Sequence, residues 1–183
     1  MGSFNQLVHQ RRSIRKYSEK AVEKEKIVQC IEAARVAPSA ENVEPWRFIV
    51  LTDPDLKDRF CKEAFSGVYS FTKWAAKAPV IIVILAKLDI LANRIGKQIQ
   101  GTNYYLIDIG IAGEHLVLQA QELGLGTCWI GWFNAKKTQK FFNIPSSYKV
   151  VSLISMGYPQ DIPLKDKKRR KLEEILSFNG FDL

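Results

Sequence analysis

Apolar positions along this chain recur with two periods, and the periods take turns. From Val22 to Val36, residues Ile27, Val28, Ile31, Ala34 and Val36 return at three- and four-residue spacing among charges, which predicts a helix closed by Pro38. Trp46 to Leu51 is a short apolar run of strand length, and Asp53-Pro54 then supplies an N-cap and a first-turn proline for a helix reaching about Phe65. Pro79 to Ala86, dense in Val and Ile, predicts the strongest strand. Asn103 to Leu123 predicts the longest helix, apolar on nearly every side, with Gly124 and Gly126 punctuating its end. A helix of that kind must be covered almost all round, so the pattern expects it between the core and a partner subunit. Thr127 to Phe133 and Lys149 to Met156 predict two further strands, with a short helix after Asn134 between them. Connections are short, no repeat or linker interrupts the chain, and a single domain over residues 1–183 is expected.

Composition narrows the picture. A chain of 183 residues with 46% hydrophobic content buries one substantial core. Cys30, Cys61 and Cys128 are odd in number and match neither a metal knuckle nor a disulfide framework, so buried, reduced thiols are expected, no metal site, and a cytoplasmic setting. The start of the chain carries no charged segment followed by an apolar one. The longest apolar run falls short of the ~20 residues of a membrane span, so a soluble protein is expected.

The formal charge of +8 is concentrated. Arg11, Arg12, Arg15 and Lys16 form one cluster and Lys165, Lys167, Lys168, Arg169, Arg170 and Lys171 another, together ten of the 27 basic residues. Nucleic acid is one ligand for such clusters, yet no helix-turn-helix, zinc ligands or basic-aromatic ladder accompanies them. Lys165, Lys168 and Lys171 taken singly read as a solvated tail. The run Arg11-Arg12-Ser13-Ile14-Arg15 instead sets three guanidiniums and a hydroxyl within five residues, which suits a phosphate. The stretch from Pro38 to Trp46 sets small polar residues in a proline-bracketed turn that leads into a strand. Together they point to a phosphorylated cofactor held by its tail.

Four segments resemble the FMN-dependent nitroreductase-like oxidoreductases. Residues 11–15 look like the family's N-terminal phosphate motif, and Pro38-Ser39-Ala40 through Asn42 and Pro45-Trp46 to Phe48 look like its second. Gly124 to Gly131 looks like the third, and Gly157-Tyr158-Pro159 with the basic run up to Leu172-Glu173-Glu174 looks like the C-terminal signature. They stand in the family's order and span residues 11–174.

The resemblance implies an α+β fold, a three-layer α/β/α sandwich around a mixed, mainly antiparallel sheet, in an intertwined homodimer built on the long helix. It implies FMN, with Arg11 and Arg15 neutralising the phosphate, Ser13 donating a hydroxyl, and Lys167 and Arg169 completing that site from the far end of the chain. Arg12 would touch the flavin's polar edge and favour its reduced form. Pro38, Ser39 and Ala40 would cover the partner's flavin with Asn42 beside them, although Asn42 also reads as a turn residue satisfying its own backbone. Trp129, Ile130 and Gly131 would lie near flavin N5, with backbone N–H groups of Ile130 and Gly131 aimed there and no catalytic side chain. Glycine at 131 leaves the backbone bare for a ring.

The implied activity is hydride transfer from NADH or NADPH through FMN to an electron-poor small molecule, a nitroaromatic or quinone, in ping-pong fashion. Alternatives are a flavin-binding module without turnover, flavin fragmentation, reductive dehalogenation, and a basic nucleic-acid-binding protein. Trp132 and Phe133 read as core before pocket, His9 and His115 as packing residues or satisfied hydrogen bonds, and Asp108 and Glu114 lack the context of an acid or base. The sequence departs from the family at Glu44, where Gln is usual, and Ser66 to Trp74 offers no clear counterpart to a substrate-covering helix.

Overall fold

The computed structural model describes residues 4–88, 101–160 and 167–181. Its helices are α1 (Phe4–Gln10), α2 (Lys24–Arg35), α3 (Pro54–Ala64), α4 (Tyr104–Glu122) and α5 (Ala135–Phe141). Its strands are β1 (Trp46–Leu51), β2 (Val80–Lys87), β3 (Gly126–Ile130) and β4 (Tyr148–Gly157). Short 3-10 turns occupy Ala40–Asn42 and Leu172–Glu174, and a longer 3-10 run covers Gly67–Lys77. Lys165 of the C-terminal cluster lies outside the described residues.

The sheet order is β1-β2-β4-β3, and each of these pairs is antiparallel. Its parallel component among the described residues is the single bridge between Ser13 and Thr127. β2 explains why its sequence is apolar without alternation: it is central, and both faces are covered. Val80, Ile82, Ile84 and Ala86 pack beneath α2 and α4 with Ile27, Cys30, Ile109 and Leu116. Ile81, Val83 and Leu85 face the other layer, with Phe60, Cys61 and Ala64 of α3. Two cores on one sheet make the three-layer α+β sandwich, and each fully buried aliphatic side chain in it is worth ~1.5–3 kcal/mol.

Local signals act as the sequence predicts where they are strongest. Asp53 Oδ1 accepts the Leu56 N–H at 2.7 Å and Pro54 opens α3. At the far end of α4, Gly124 takes φ +76°, and Leu125 N–H reaches Ala120 O at 2.8 Å while Gly124 N–H reaches Gln121 O at 3.1 Å. That pair of bonds is a Schellman cap, which needs a residue tolerant of the left-handed region.

Other expectations shift. The strand predicted from Thr127 to Phe133 stops at Ile130. Beyond it Trp132 is drawn away, its indole N–H donating to Val68 O at 2.9 Å and its carbonyl accepting from the Thr72 hydroxyl at 2.7 Å, while Phe133 turns into the core. α4 buries Tyr105, Asp108, Ile109, Ala112, Gly113, Leu116, Val117 and Ala120, but Leu106 and Ile107 stay exposed on the single chain. Among the described residues, no helix is long and apolar enough to cross a membrane.

The segment from Arg11 to Ser18 runs along the ends of β3 and β4. Ile14 N–H donates to Thr127 O at 2.9 Å and Ser18 N–H to Tyr158 O at 2.9 Å. Gly126 permits that approach, because a β-carbon there would stand 2.6 Å from Ile14 Cγ1 and 2.8 Å from Ile14 Cβ. Gly126→Ala should therefore destabilise the protein by ~1–3 kcal/mol, the usual cost of overpacking. Urea unfolding measures it; an unchanged midpoint would show that the Arg11–Ser18 segment is not held tightly against β3.

Candidate active site

The two basic clusters meet, and the C-terminal end of α1 is where they do so. Arg12 turns its guanidinium onto that end, one terminal nitrogen donating to His9 O at 2.6 Å, Gln10 O at 3.0 Å and Arg11 O at 3.1 Å. Lys167 Nζ donates to Val8 O at 2.8 Å, in the same last turn. Free carbonyls at a helix C-terminus attract cations, so α1 gathers two charges that would otherwise repel. The Lys167 ammonium is pulled below its ordinary range first by burial and then by the charges of Arg12, Arg11 and Arg169, with Glu114 opposing the shift. Arg11 Nε lies 3.5 Å from Glu114 Oε1 on α4. Arg12 Nε is buried without a partner among the described groups. Arg169 is exposed, with one nitrogen on Lys168 O at 2.8 Å.

Ser13 and Arg15 follow on the same extended segment. Ser13 is exposed and bridges Thr127 through its backbone, and the Cys128 thiol behind it donates to Trp129 O at 3.4 Å. The Arg15 guanidinium carbon sits 5.6 Å over the Trp74 ring, a cation–π contact that links this segment to the Gly67–Lys77 run. The third motif enters alongside. Trp129 is half-buried, with its ring against Gly113 of α4, and Ile130 is buried. Gly131 is exposed, and a β-carbon built on it would meet nothing within 4 Å. Trp132 is 56% exposed and packs its ring 5.3 Å from that of Tyr69.

The second motif forms a tight loop. Pro38 is exposed, and Ser39 and Ala40 are half-buried. Glu41, Asn42 and Glu44 all adopt positive φ, at 52°, 52° and 45°. Non-glycine residues in that region cost of order 1–3 kcal/mol each. Inside the loop, Asn42 N–H donates to Ser39 O at 3.1 Å and Glu44 N–H to Ser39 Oγ at 3.0 Å. Asn42 thus occupies the turn position that its residue type favours. Glu44 is exposed, and Arg47 donates to its backbone carbonyl at 3.1 Å. The bond that ties the loop to α4 runs from Ala40 N–H to Asp108 Oδ1 at 3.0 Å. Asp108 is 2% exposed, its Oδ2 has no partner among the described groups, and burial pushes its carboxyl above the ordinary range while the Ala40 N–H pulls it back.

Sequence reasoning found the motifs and missed what holds them. Asp108 and Glu114, set aside as candidate acids or bases, contact the second and first motifs from α4. A signal for Asp108 was present, since it falls on the same helical face as Tyr105, Ile109 and Ala112, where a carboxylate is out of place. Trp74, Thr72 and Gly113 carried no such signal.

The α+β sandwich described above is the fold of a known class of oxidoreductases. The nitroreductase family model matches residues 8–158, and this chain belongs to that family. A putative NADH dehydrogenase/NAD(P)H nitroreductase of Archaeoglobus fulgidus is 31% identical, over 85% of this chain and 84% of its own length. Iodotyrosine deiodinase 1 of Sus scrofa is 30% identical, over 94% of this chain and 67% of its own length. Among solved structures, a nitroreductase family protein of Clostridium difficile 630 superimposes with a TM-score of 0.84 at 30% identity, covering 98% of this chain and all of the other. An FMN-dependent nitroreductase of Clostridium difficile R20291 gives 0.76 at 32% identity, covering 96% and 98%.

The three thiols are free and buried. Burial pushes Cys30 up to about 12 and Cys61 up to about 11, and raises Cys128 against the opposing charges of Arg15 and Arg11. A raised thiol pKa in the folded state means its contribution to stability is intact below the ordinary thiol range and is lost as pH climbs from there through the raised folded value. At about pH 8, near the ordinary thiol value, a thiol-specific reagent should label none of the three quickly and all three after unfolding. Fast labelling of Cys128 in the native protein would show that β3 is accessible beneath Ser13.

Proposed function

We propose that this member of the nitroreductase family is an FMN-dependent oxidoreductase. It takes a hydride from NADH or NADPH and passes it to an electron-poor small molecule, a nitroaromatic or quinone. The observation that carries this reading is the convergence of Arg11, Arg12, Lys167 and Arg169 from opposite ends of the chain. Lys167, lowered first by burial and then by Arg12, Arg11 and Arg169, stands among cations that a doubly negative group would relieve, and a phosphate is such a group. The buried, unpartnered Arg12 Nε and the open space at Gly131 also fit a phosphorylated, planar ligand. The likeness to the FMN-dependent nitroreductase of Clostridium difficile R20291 adds to this support.

In this reading Arg11 and Lys167 bind the phosphate, Ser13 adds its hydroxyl, and Arg15 and Arg169 contribute charge around it. Arg12, fixed on the α1 carbonyls, holds its part of the charge in position. Trp129, Ile130 and Gly131 present backbone to the ring, and Pro38, Ser39 and Ala40, with Asn42 beside them, cover the ring held by the other subunit of the homodimer. FMN, when bound, supplies the two-electron carrier. The side chains bind, orient and exclude water, and none is required as a general acid or base. Exposed Leu106, Ile107, Phe178 and Phe181 favour a homodimer, because a lone chain rarely leaves so many large apolar groups uncovered. One domain per chain accounts for the whole sequence.

Reductive dehalogenation is a second reading, favoured by the likeness to iodotyrosine deiodinase 1. Product analysis with a quinone and with a halogenated phenol as acceptors separates the two. The purified protein should be yellow and should oxidise NADH or NADPH in the presence of a quinone. Arg11→Ala should raise the Kd for FMN by about 10- to 100-fold, the scale of lost charge-assisted hydrogen bonds, with the fold retained. Fluorescence titration of FMN measures it, and an unchanged Kd would remove Arg11 from the phosphate site.

A further inference from the structure

Asp108 is an expensive residue for its place. It lies on the buried face of α4 between Tyr105 and Ala112, where an aliphatic side chain would pack without desolvating a carboxylate. Its Oδ2 makes no hydrogen bond among the described groups, so a stabilising network within the helix does not explain it. Its Oδ1 accepts from the backbone N–H of Ala40, 68 residues earlier.

The partner loop is also unusual. Three non-glycine residues at positive φ fall within four positions, at Glu41, Asn42 and Glu44. Such backbone persists only where its surroundings over-determine it. The loop's internal bonds, from Asn42, Val43 and Glu44 back to Ser39 and Ala40, set its curvature but not its placement on the sandwich. Placement comes from the Ala40 N–H on Asp108, with Pro45 and β1 holding the exit through Lys87 N–H on Pro45 O at 2.8 Å.

We propose that Asp108 is a positioning residue: through the Ala40 N–H it latches the strained 39–44 loop to α4, and so keeps Pro38, Ser39, Ala40 and Asn42 set for the flavin. This rests on the FMN reading above. Asp108 touches no ligand in it and acts through the backbone of Ala40. What matters is an acceptor at that point, not a charge, so the amide of asparagine replaces it.

The test compares Asp108→Asn and Asp108→Ala with the wild-type protein by FMN titration, thermal melting and amide hydrogen exchange of the flavin-free protein. Asp108→Asn should keep the Kd for FMN within about threefold of wild type, while Asp108→Ala should raise it at least about tenfold, the scale of a hydrogen-bonded position lost. Exchange in residues 39–44 should quicken in the alanine variant alone. An alanine variant that binds FMN as well as wild type overturns the proposal, as does an asparagine variant as weak as the alanine one. Should Asp108→Ala fail to fold, wild-type exchange decides: an Ala40 amide exchanging at the rate of an unstructured chain rejects the latch, and a protected one supports it. If the wild-type protein itself binds no FMN, the flavin reading falls and the latch is judged on Ala40 protection alone.

Discussion

Three contacts made by one helix hold the candidate site together. Over seven residues α4 takes the second motif at Asp108, meets the third at Gly113 and engages the first at Glu114. A helix rises ~1.5 Å per residue, so these contacts lie within about 9 Å along a rigid rod. The rod is fixed because its inner face is buried against β2 and α2, where Ile109, Leu116 and Val117 leave it little freedom to slide or turn. Motifs dispersed through the chain thus take their relative positions from a single element. Disturbing α4 would move all of them at once.

The cationic part of the site is an arrangement of like charges kept close by weak opposites. The last-turn carbonyls of α1 accept from Arg12 and Lys167, and Glu114 stands beside Arg11. These are neutral or single negative partners for several positive ones, and after burial it is the neighbouring cations that lower the Lys167 ammonium. A site in that condition favours an anionic ligand before any hydrogen bond is counted. The same imbalance explains the role of α1. With no buried residue of its own, it contributes backbone carbonyls and not packing.

The long helix, β1 and the capped start of α3 were legible because each carries a strong local signal: sustained apolar periodicity, an apolar run of strand length, and an Asp-Pro pair. α1 was not legible, since seven residues without a buried face leave no periodicity to detect. Gly67–Lys77 was missed for a related reason. Its 3-10 path is fastened from outside, by Trp132 and Arg15, neither of which is near it in sequence. β3 proved shorter than its apolar run because those same fastenings draw Trp132 away from the sheet.

By itself, the sequence determined the alternation of helices and strands and the residue types its motifs carry. Those depend on residue type and spacing, which are local. Only the tertiary structure decided that Arg12 and Lys167 share the end of α1, that Asp108 accepts from the Ala40 N–H of the second-motif loop, and that Glu114 stands beside Arg11. These pairings join residues far apart in the chain, and their energies come from burial and charge at short range, which exist only once the two cores have closed on the sheet.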